Sequence, residues 1–507
     1  MGIVAGGVSG VRSDLATEGI PPVGGAKPEF STRDGPNPGR RRTYTPAMPR
    51  LDALWLLVGL ALPGCNSEPE EPRPRNLLFV VFDTTRADHI GCYGYSRRTS
   101  PTVDALAARG LKLENAYASS SLTPVSAGSF LTGTMPYRHG VRSLFVVGEE
   151  RLSAEVPSLF EELRDAGHAT AAFVSAKPMG AHYGLDRGFD HYEDDMDAVR
   201  ERLGLEHFAD APQRPGEMTA ELAVAWLEER GDEPFAALVH FFDAHDTSFV
   251  PPRRFLERTL SFPLPEGLGR FWPVNPLQTE QQLLELYDAE ILFQDRQLRK
   301  LLTALDGQGV LEDTLVVFLA DHGESFGEHG YHTHGWLSEE QIRVPLVLAG
   351  PGIEPGSLLA ARVRTVDLVP TLCELFGLDV PAGLDGASFL DLARGGAEDF
   401  EREIYAEVHH APRDPRQREG AMFTVVDGPW KYVHRPESKA HELYHLEQDP
   451  GEATNRFGDE PRIAARLLAR LIDRGALVGA GVSIDGLTPE QVRELQALGY
   501  LGEIDGD

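Results

Sequence analysis

An α/β fold is predicted, with a large, mainly parallel sheet flanked by helices and a small C-terminal α+β subdomain. Three observations predict it. Short, wholly apolar runs recur along the chain, beginning with Asn76–Phe82 (NLLFVVF). Helical stretches separate these runs. After about residue 400 the pattern gives way to short aromatic-rich runs such as Trp430-Lys431-Tyr432-Val433. Continuous apolar runs of strand length mark strands buried on both faces. Their alternation with helices marks a mainly parallel sheet covered on both sides.

The elements follow in order. Residues 1–47 are rich in Gly, Pro, Ser and Arg, without helical or strand period, and read as a disordered or untranslated extension. Residues 48–64 have the form of a secretory signal: Met48 opens it, Arg50 supplies positive charge, and Ala53–Leu62 is a short apolar stretch. Residues 65–75 form a polar, Pro-rich tether (NSEPEEPRPR after Cys65). The main domain, 76–400, adds strands at Thr170–Val174, Phe235–Phe242, Thr314–Leu319 and Val344–Ala349. Its helices are Thr102–Arg109, Ser158–Ala166 and Gln281–Leu305. The last carries Leu284, Tyr287, Ile291, Leu298, Leu302 and Leu305 on one face. In the subdomain, 401–507, Trp430–Val433 and Glu442–Tyr444 read as strands and Pro489–Leu498 as a helix.

Composition narrows the function. The chain has 507 residues, with 78 Asp and Glu against 48 Lys and Arg, a net charge of −30. Such a surface repels nucleic acid, so no nucleic-acid partner is expected. Three cysteines are too few for a disulfide framework. No apolar run reaches the roughly 18–20 residues that span a bilayer.

Ligands in open parallel sheets sit beyond the carboxyl ends of the strands. Asp83 immediately follows the first strand, and Asp321 and His322 closely follow the strand Thr314–Leu319. Two carboxylates and an imidazole at neighbouring strand ends suit one divalent cation: Ca²⁺, Mg²⁺, Mn²⁺ or Zn²⁺. Taken singly, each Asp also reads as a turn residue or helix cap.

Several segments then resemble one family: VVFDTTRADHIGCYGY (80–95), LTGTMPYRHGV (131–141), LADHGESFGEHG (319–330), RVPLVLAGPG (343–352) and VDLVPTLCELFGL (366–378). WKYV, HELYHLEQDPGEATN (441–455) and LQALGYL (495–501) extend the likeness. The chain resembles the sulfatases, of the alkaline-phosphatase-like superfamily, over residues 76–502. The resemblance implies a metal-dependent hydrolase of sulfate esters, with Ca²⁺ held by Asp83, Asp321 and His322. It implies an anionic ester substrate, either a sulfated glycan or an aryl sulfate. Leu62-Pro63-Gly64-Cys65 resembles a bacterial lipobox. That implies export, a lipid on Cys65 as the only membrane contact, and a place in the cell envelope facing the periplasm.

One departure matters. Sulfatases carry a formylglycine made from Cys or Ser at the head of C/S-x-P-x-R, about eight residues before a Leu-Thr-Gly. Here that place is Thr123, with Val125 for Pro and Ala127 for Arg. A Thr carbon bearing a methyl group cannot be oxidised to an aldehyde, so no formylglycine is expected. Thr123 then reads either as an unmodified nucleophile on the metal, as in related phosphodiesterases and phosphoethanolamine transferases, or as the helix cap of an inactive homologue. By the same resemblance His245 contacts the ester and protonates the leaving oxygen. His334 stands where a sulfate-binding Lys is frequent and reads as a group for the anion or for a second metal. Lys177 lies roughly where the family has a Lys-x-His pair and is a candidate site residue on that ground, although its spacing to His182 does not fit and it also reads as a solvated Lys. Thr84 replaces a second metal-binding Asp. Arg86 and His89 read as locally paired, and His139 as structural.

Three functions remain. The first is a sulfatase acting through the group at position 123. The second is a Thr-nucleophile phosphatase, phosphodiesterase or phospho-transferase of the envelope. The third is an inactive homologue that binds glycans.

Overall fold

The computed structural model describes residues 72–144, 150–203, 213–245, 250–264, 279–397, 402–409, 420–475 and 477. The extension 1–47, the signal 48–64, Cys65 and the helix expected at 489–498 lie outside the described residues. No helix among the described residues is long and apolar enough to cross a membrane.

The main sheet contains β1 (Asn76–Phe82), β2 (Leu111–Tyr117), β3 (Ala169–Phe173), β4 (His191–Glu193), β5 (Phe235–Phe241) and β6 (Thr314–Ala320). A small hairpin, β7 (Ser325–Phe326) and β8 (His332–Thr333), stands apart, and β9 (Arg343–Ala349) and β10 (Ser357–Arg364) complete the sheet. Its order is β10-β2-β9-β6-β1-β5-β3-β4. All pairs are parallel except those β9 makes with β2 and β6. The expectation of a mainly parallel sheet therefore holds.

β1 shows why its sequence is wholly apolar. Leu77, Phe79 and Val81 enter one core, under the helices Thr123–Thr132, Leu159–Asp165 and Leu368–Phe376. Leu78, Val80 and Phe82 enter the other, under Pro101–Ala108, Gly216–Arg230 and Glu280–Gln308. Both faces of the strand are dry, so polar alternation has no place. The long helix runs from Glu280 to Gln308, slightly beyond the predicted bounds, with Tyr287, Ile291, Leu298 and Leu305 buried.

The second sheet is antiparallel: β11 (Ile404–His409), β12 (Ala421–Asp427), β13 (Trp430–Arg435) and β14 (Ala440–His445), in that order. The helix Pro461–Asp473 packs Leu467, Leu468 and Leu471 against its Tyr405, Phe423 and Tyr432.

Candidate active site

The carboxyl-terminal edge of the main sheet gathers the predicted residues. β1 ends at Asp83, β6 at Asp321 and His322, and β5 carries His240 one residue before its end. β2 runs into Ser119–Leu122 and then into the helix that begins at Thr123. Because β9 is reversed, its amino end lies at this same edge and brings the preceding loop, with His334, to the site.

Thr123 is buried at the first position of its helix. The Leu122 carbonyl accepts the first helical hydrogen bonds, from the amides of Val125 (3.1 Å) and Ser126 (2.9 Å), so Leu122 occupies the cap position. The Thr123 hydroxyl turns instead to Asp83 Oδ2, 3.2 Å away, and to His322 Nε2, 3.3 Å away. The helix N-terminus places positive potential beside that oxygen.

His322 donates through Nδ1 to the Gly323 carbonyl (3.0 Å), which leaves the Nε2 lone pair facing Thr123 and Asp321 Oδ2 (3.4 Å). Gly323 is required here: a Cβ would lie 1.9 Å from the Glu340 carbonyl oxygen. Asp321 Oδ1 accepts from the amides of His322 (2.9 Å) and Thr84 (3.2 Å). Thr84 adopts φ +52°, a strained region for a β-branched residue, in order to aim that amide. Its hydroxyl is turned back to the Asp83 carbonyl (2.8 Å), so the second acidic ligand is absent at this position.

Asp83 and Asp321 are fully buried. Burial raises both carboxyls well above their ordinary range, and Asp321 is raised further by the charge of Asp83. Asp83 Oδ1 and Asp321 Oδ2 have no hydrogen-bond partner. Ligand atoms of Asp83, Asp321 and His322 lie within 4.8 Å of one another. Two orphaned carboxylate oxygens and a free imidazole lone pair form a donor set that fits a divalent cation. A second set, His329, Glu340 and Glu452, is also close together. There the buried Lys431 ammonium already contacts Glu452 (2.8 Å) and Glu339 (3.1 Å), and supplies the positive charge.

His334 donates from Nδ1 to the Ser121 carbonyl (2.8 Å) and meets His245 Nε2 through its own Nε2 at 2.9 Å. His245 stacks on Phe242, with ring centroids 4.0 Å apart, and the His334 ring lies 4.5 Å from that of His322. The three imidazoles form a continuous string. Burial and the neighbouring rings hold His245 well below its ordinary pKa, so with both rings neutral His245 Nε2–H is the donor of the pair.

His240 and Asp243, which share the segment HFFDAHD with His245, are candidates to complete the site from their place at the end of the apolar run Phe235–Phe242, and of the two His240 reaches it. The Ser175 amide approaches its Nδ1 (3.4 Å), and Nε2–H donates to Asp83 Oδ2 (2.9 Å). Burial lowers its pKa to about 4. A lone imidazole within the apolar run FAALVHF was the available signal. Asp243 instead accepts from the Gly216 amide at the start of the helix Gly216–Arg230 (3.0 Å).

Two expectations need correction. Lys177 stands beyond β3 at the same edge but is exposed, and no contact among the described residues joins it to Thr123, Asp83, Asp321 or His322. Its ammonium stays in solvent near His182, where hydration outweighs burial. Arg86 does pair locally with Asp88 (2.8 Å), but also with distant Glu328 (2.7 Å), and His89 pairs with Asp288 of the long helix (2.8 Å). His139 is buried beneath Gly128, bonded to Ser129 Oγ (3.0 Å) and the Val141 amide (3.2 Å), away from the cluster.

Known proteins resemble this chain in sequence and in fold. The chain is 28% identical over 439 residues to a Delta 4,5-hexuronate-2-O-sulfatase of Bacteroides thetaiotaomicron, covering 79% of this chain and 88% of that one. It is 28% identical over 422 residues to a choline-sulfatase of Rhizobium meliloti, covering 72% and 78%. A structure solved with its substrate D-glucosamine-2-N,6-O-disulfate superposes with TM-score 0.65 at 21% identity, covering 80% of this chain and 98% of the other. The phosphonate monoester hydrolase of Agrobacterium radiobacter superposes equally well, with TM-score 0.65, 21% identity and coverage of 80% and 96%. Residues 327–474 match the family described as N-sulphoglucosamine sulphohydrolase, C-terminal. Residues 75–378, more than half of the chain, match the sulfatase family model, and the chain belongs to the sulfatase family.

Proposed function

We propose that this protein is a metal-dependent hydrolase of sulfate esters on anionic saccharides, with Thr123 as its nucleophile. One observation carries the reading: the buried Thr123 hydroxyl at a helix N-terminus, 3.2 Å from Asp83 and 3.3 Å from His322, beside two unsatisfied carboxylate oxygens. Asp83, Asp321, His322 and the Thr123 hydroxyl would hold one divalent cation. Family likeness points to Ca²⁺, and the imidazole donor suits Mn²⁺ or Zn²⁺ as well, with Mg²⁺ less suited. Bound there, the ion supplies a Lewis acid that favours ionised Thr123 and draws charge from the ester.

The chain's own groups perform the remaining steps. Thr123 gives up its proton along the hydrogen bond to Asp83 Oδ2, whose charge His240 Nε2–H steadies. A Thr123 O–S bond forms as the bond from sulfur to the alcohol oxygen breaks. An arriving ester anion raises the proton affinity of the His245–His334 pair, which takes up one proton from solvent, and His245 passes a proton to the leaving oxygen. Water then attacks sulfur and gives its proton to the neutral pair, while the Thr123 O–S bond breaks and Asp83 returns the first proton to Thr123, releasing the sulfate ion. Lys177, on its exposed turn, is placed to meet the substrate only outside this cluster.

A second reading is favoured by Thr123 itself. An unmodified alkoxide also suits phosphorus, so phosphoester hydrolysis or phosphoryl transfer uses the same groups. The deciding assay compares aryl sulfate, aryl phosphate and phosphodiester substrates, with Thr123→Ala and a chelator alongside. Sulfate-ester turnover is expected to fall on the order of 10³-fold or more in Thr123→Ala. Equal rates would remove Thr123 as nucleophile. Turnover of phosphoesters alone would move the reaction to phosphorus. Glycan binding without any turnover would make the protein a silent binder.

The lipid anchor on Cys65 and a periplasm-facing place in the envelope belong to the same proposal. Arg50, the apolar stretch Ala53–Leu62 and the polar tether support them. Palmitate labelling that disappears in Cys65→Ser is the expected result, and an unlabelled wild type would refute the anchor.

A further inference from the structure

Away from the reactive edge, a cavity of about 730 Å³ opens between the start of the helix Pro101–Ala108, the helix Arg253–Thr259 and the middle of the long helix. Arg97, Arg98, Arg258, Arg296 and Arg299 line it, and Asp295 is its one carboxylate among the described residues. Asp295 is already engaged, accepting from the Thr102 amide and hydroxyl (both 2.7 Å) and the Val103 amide (3.0 Å). Arg97 pairs with Asp288 (2.7 Å). Arg98, Arg258, Arg296 and Arg299 are exposed, and no carboxylate among the described residues pairs with them.

This is a local inversion of charge on a chain whose net charge is −30. Arg296 and Arg299 lie three residues apart on one helix, where like charges repel unless an anion lies between them. Guanidinium forks match sulfate and carboxylate bidentately. Phe255 and Leu292, both largely buried, form its apolar floor. Its volume lies in the range of about 300–1,000 Å³ that holds organic ligands rather than a bare ion.

We propose that this cavity is a second, non-catalytic site for an anionic saccharide bearing at least two sulfate or carboxylate groups, which tethers a polymeric substrate. The choice of saccharide rests on the sulfate-ester reading above.

The test titrates the full chain, in chelator, with a sulfated hexasaccharide, with the neutral glucan maltohexaose and with inorganic sulfate. The triple variant Arg258→Ser, Arg296→Ser, Arg299→Ser is titrated in parallel. Hexasaccharide affinity is expected to fall at least about tenfold in the variant. It should also weaken as salt rises from about 0.05 to 0.3 M. The glucan should not bind, and the variant should keep wild-type thermal stability and turnover of a small aryl sulfate. Unchanged hexasaccharide affinity in the variant would overturn the proposal. So would full displacement by inorganic sulfate at equal anion concentration, which would mark a simple ion site. If the wild type binds the hexasaccharide as expected yet turns over no sulfate ester, the sulfate-ester reading fails and the tethering site stands.

Discussion

Replacing Asp321 by Asn should change the sign of its effect on stability with the metal content of the buffer. Without a cation, Asp83 and Asp321 are buried side by side, and Asp83 Oδ1 and Asp321 Oδ2 are unsatisfied. An Asn keeps the Oδ1 that accepts from the Thr84 and His322 amides. Its Nδ2 can donate towards Asp83, where the two side chains already interact. Removing one uncompensated buried carboxylate in this way should stabilise the metal-free protein by about 1–3 kcal/mol. With a cation at roughly 1,000 times its dissociation constant, the wild type gains about 4 kcal/mol that the variant largely forgoes. For a chain of this length each kcal/mol corresponds to roughly 1–2 °C in melting temperature. Thermal unfolding of both proteins in chelator and in excess metal reads the crossing directly. If the variant melts below the wild type by the same margin in both buffers, Asp321 is not a cation ligand and the reasoning fails.

Other expectations follow from the same geometry. His139 should make the fold acid-sensitive. Burial lowers its pKa to about 3, so the unfolded chain takes up the proton first. Its contribution is fully present above about pH 6.5 and is lost as pH falls towards 3, with about 2 kcal/mol gone at pH 5. Stability measured against pH should therefore fall less steeply in His139→Gln, and parallel curves would show that His139 is not held neutral. Gly323→Ala should cut activity at least tenfold, because a Cβ would lie 1.9 Å from the Glu340 carbonyl oxygen and must displace His322. Wild-type kcat in a folded Gly323→Ala protein would show that His322 tolerates the shift. His334→Gln should lower kcat for substrates with poor leaving groups more than for activated aryl esters, since it disturbs the donor at His245. Equal losses for both substrates would remove the pair from proton transfer.

Much of the site was legible because its residues lie where chain direction alone places them. Asp83 and Asp321 follow apolar runs, and two such runs in a parallel sheet put their carboxylates together. Thr123 was found by counting from Leu131-Thr132-Gly133, and its helix starts where Pro124 suits a first turn. What escaped was set by partners far away in sequence. His240 looks like a strand residue until its register with Val81 brings it under Asp83. β2 and β10 lie at one side of the sheet and alternate polar with apolar residues, as LKLENAY shows, so they lack the continuous apolar signal of β1. Lys177 was drawn to the correct edge, but nothing local tells whether an ammonium there turns inwards or stays in water.

The reversal of β9 ties two parts of the chemistry to one excursion. The chain leaves the reactive edge after Ala320 and returns to it at Arg343, and this single loop carries both Asp321 and His322, proposed to hold the cation, and His334, proposed to serve proton transfer. The loop is tied to the rest of the molecule at many points, among them Thr84 and Ser126 to Asp321, Arg86 to Glu328, Ser121 to Trp336 and His334, and Lys431 to Glu339. Leu337 and Ile342 of the same loop lie in the core under the helix Thr123–Thr132, and Phe326 packs against the other core, so the loop cannot open without loosening both. Loss of the proposed cation site and of the His245–His334 pair on heating should therefore coincide with melting of the sheet rather than precede it.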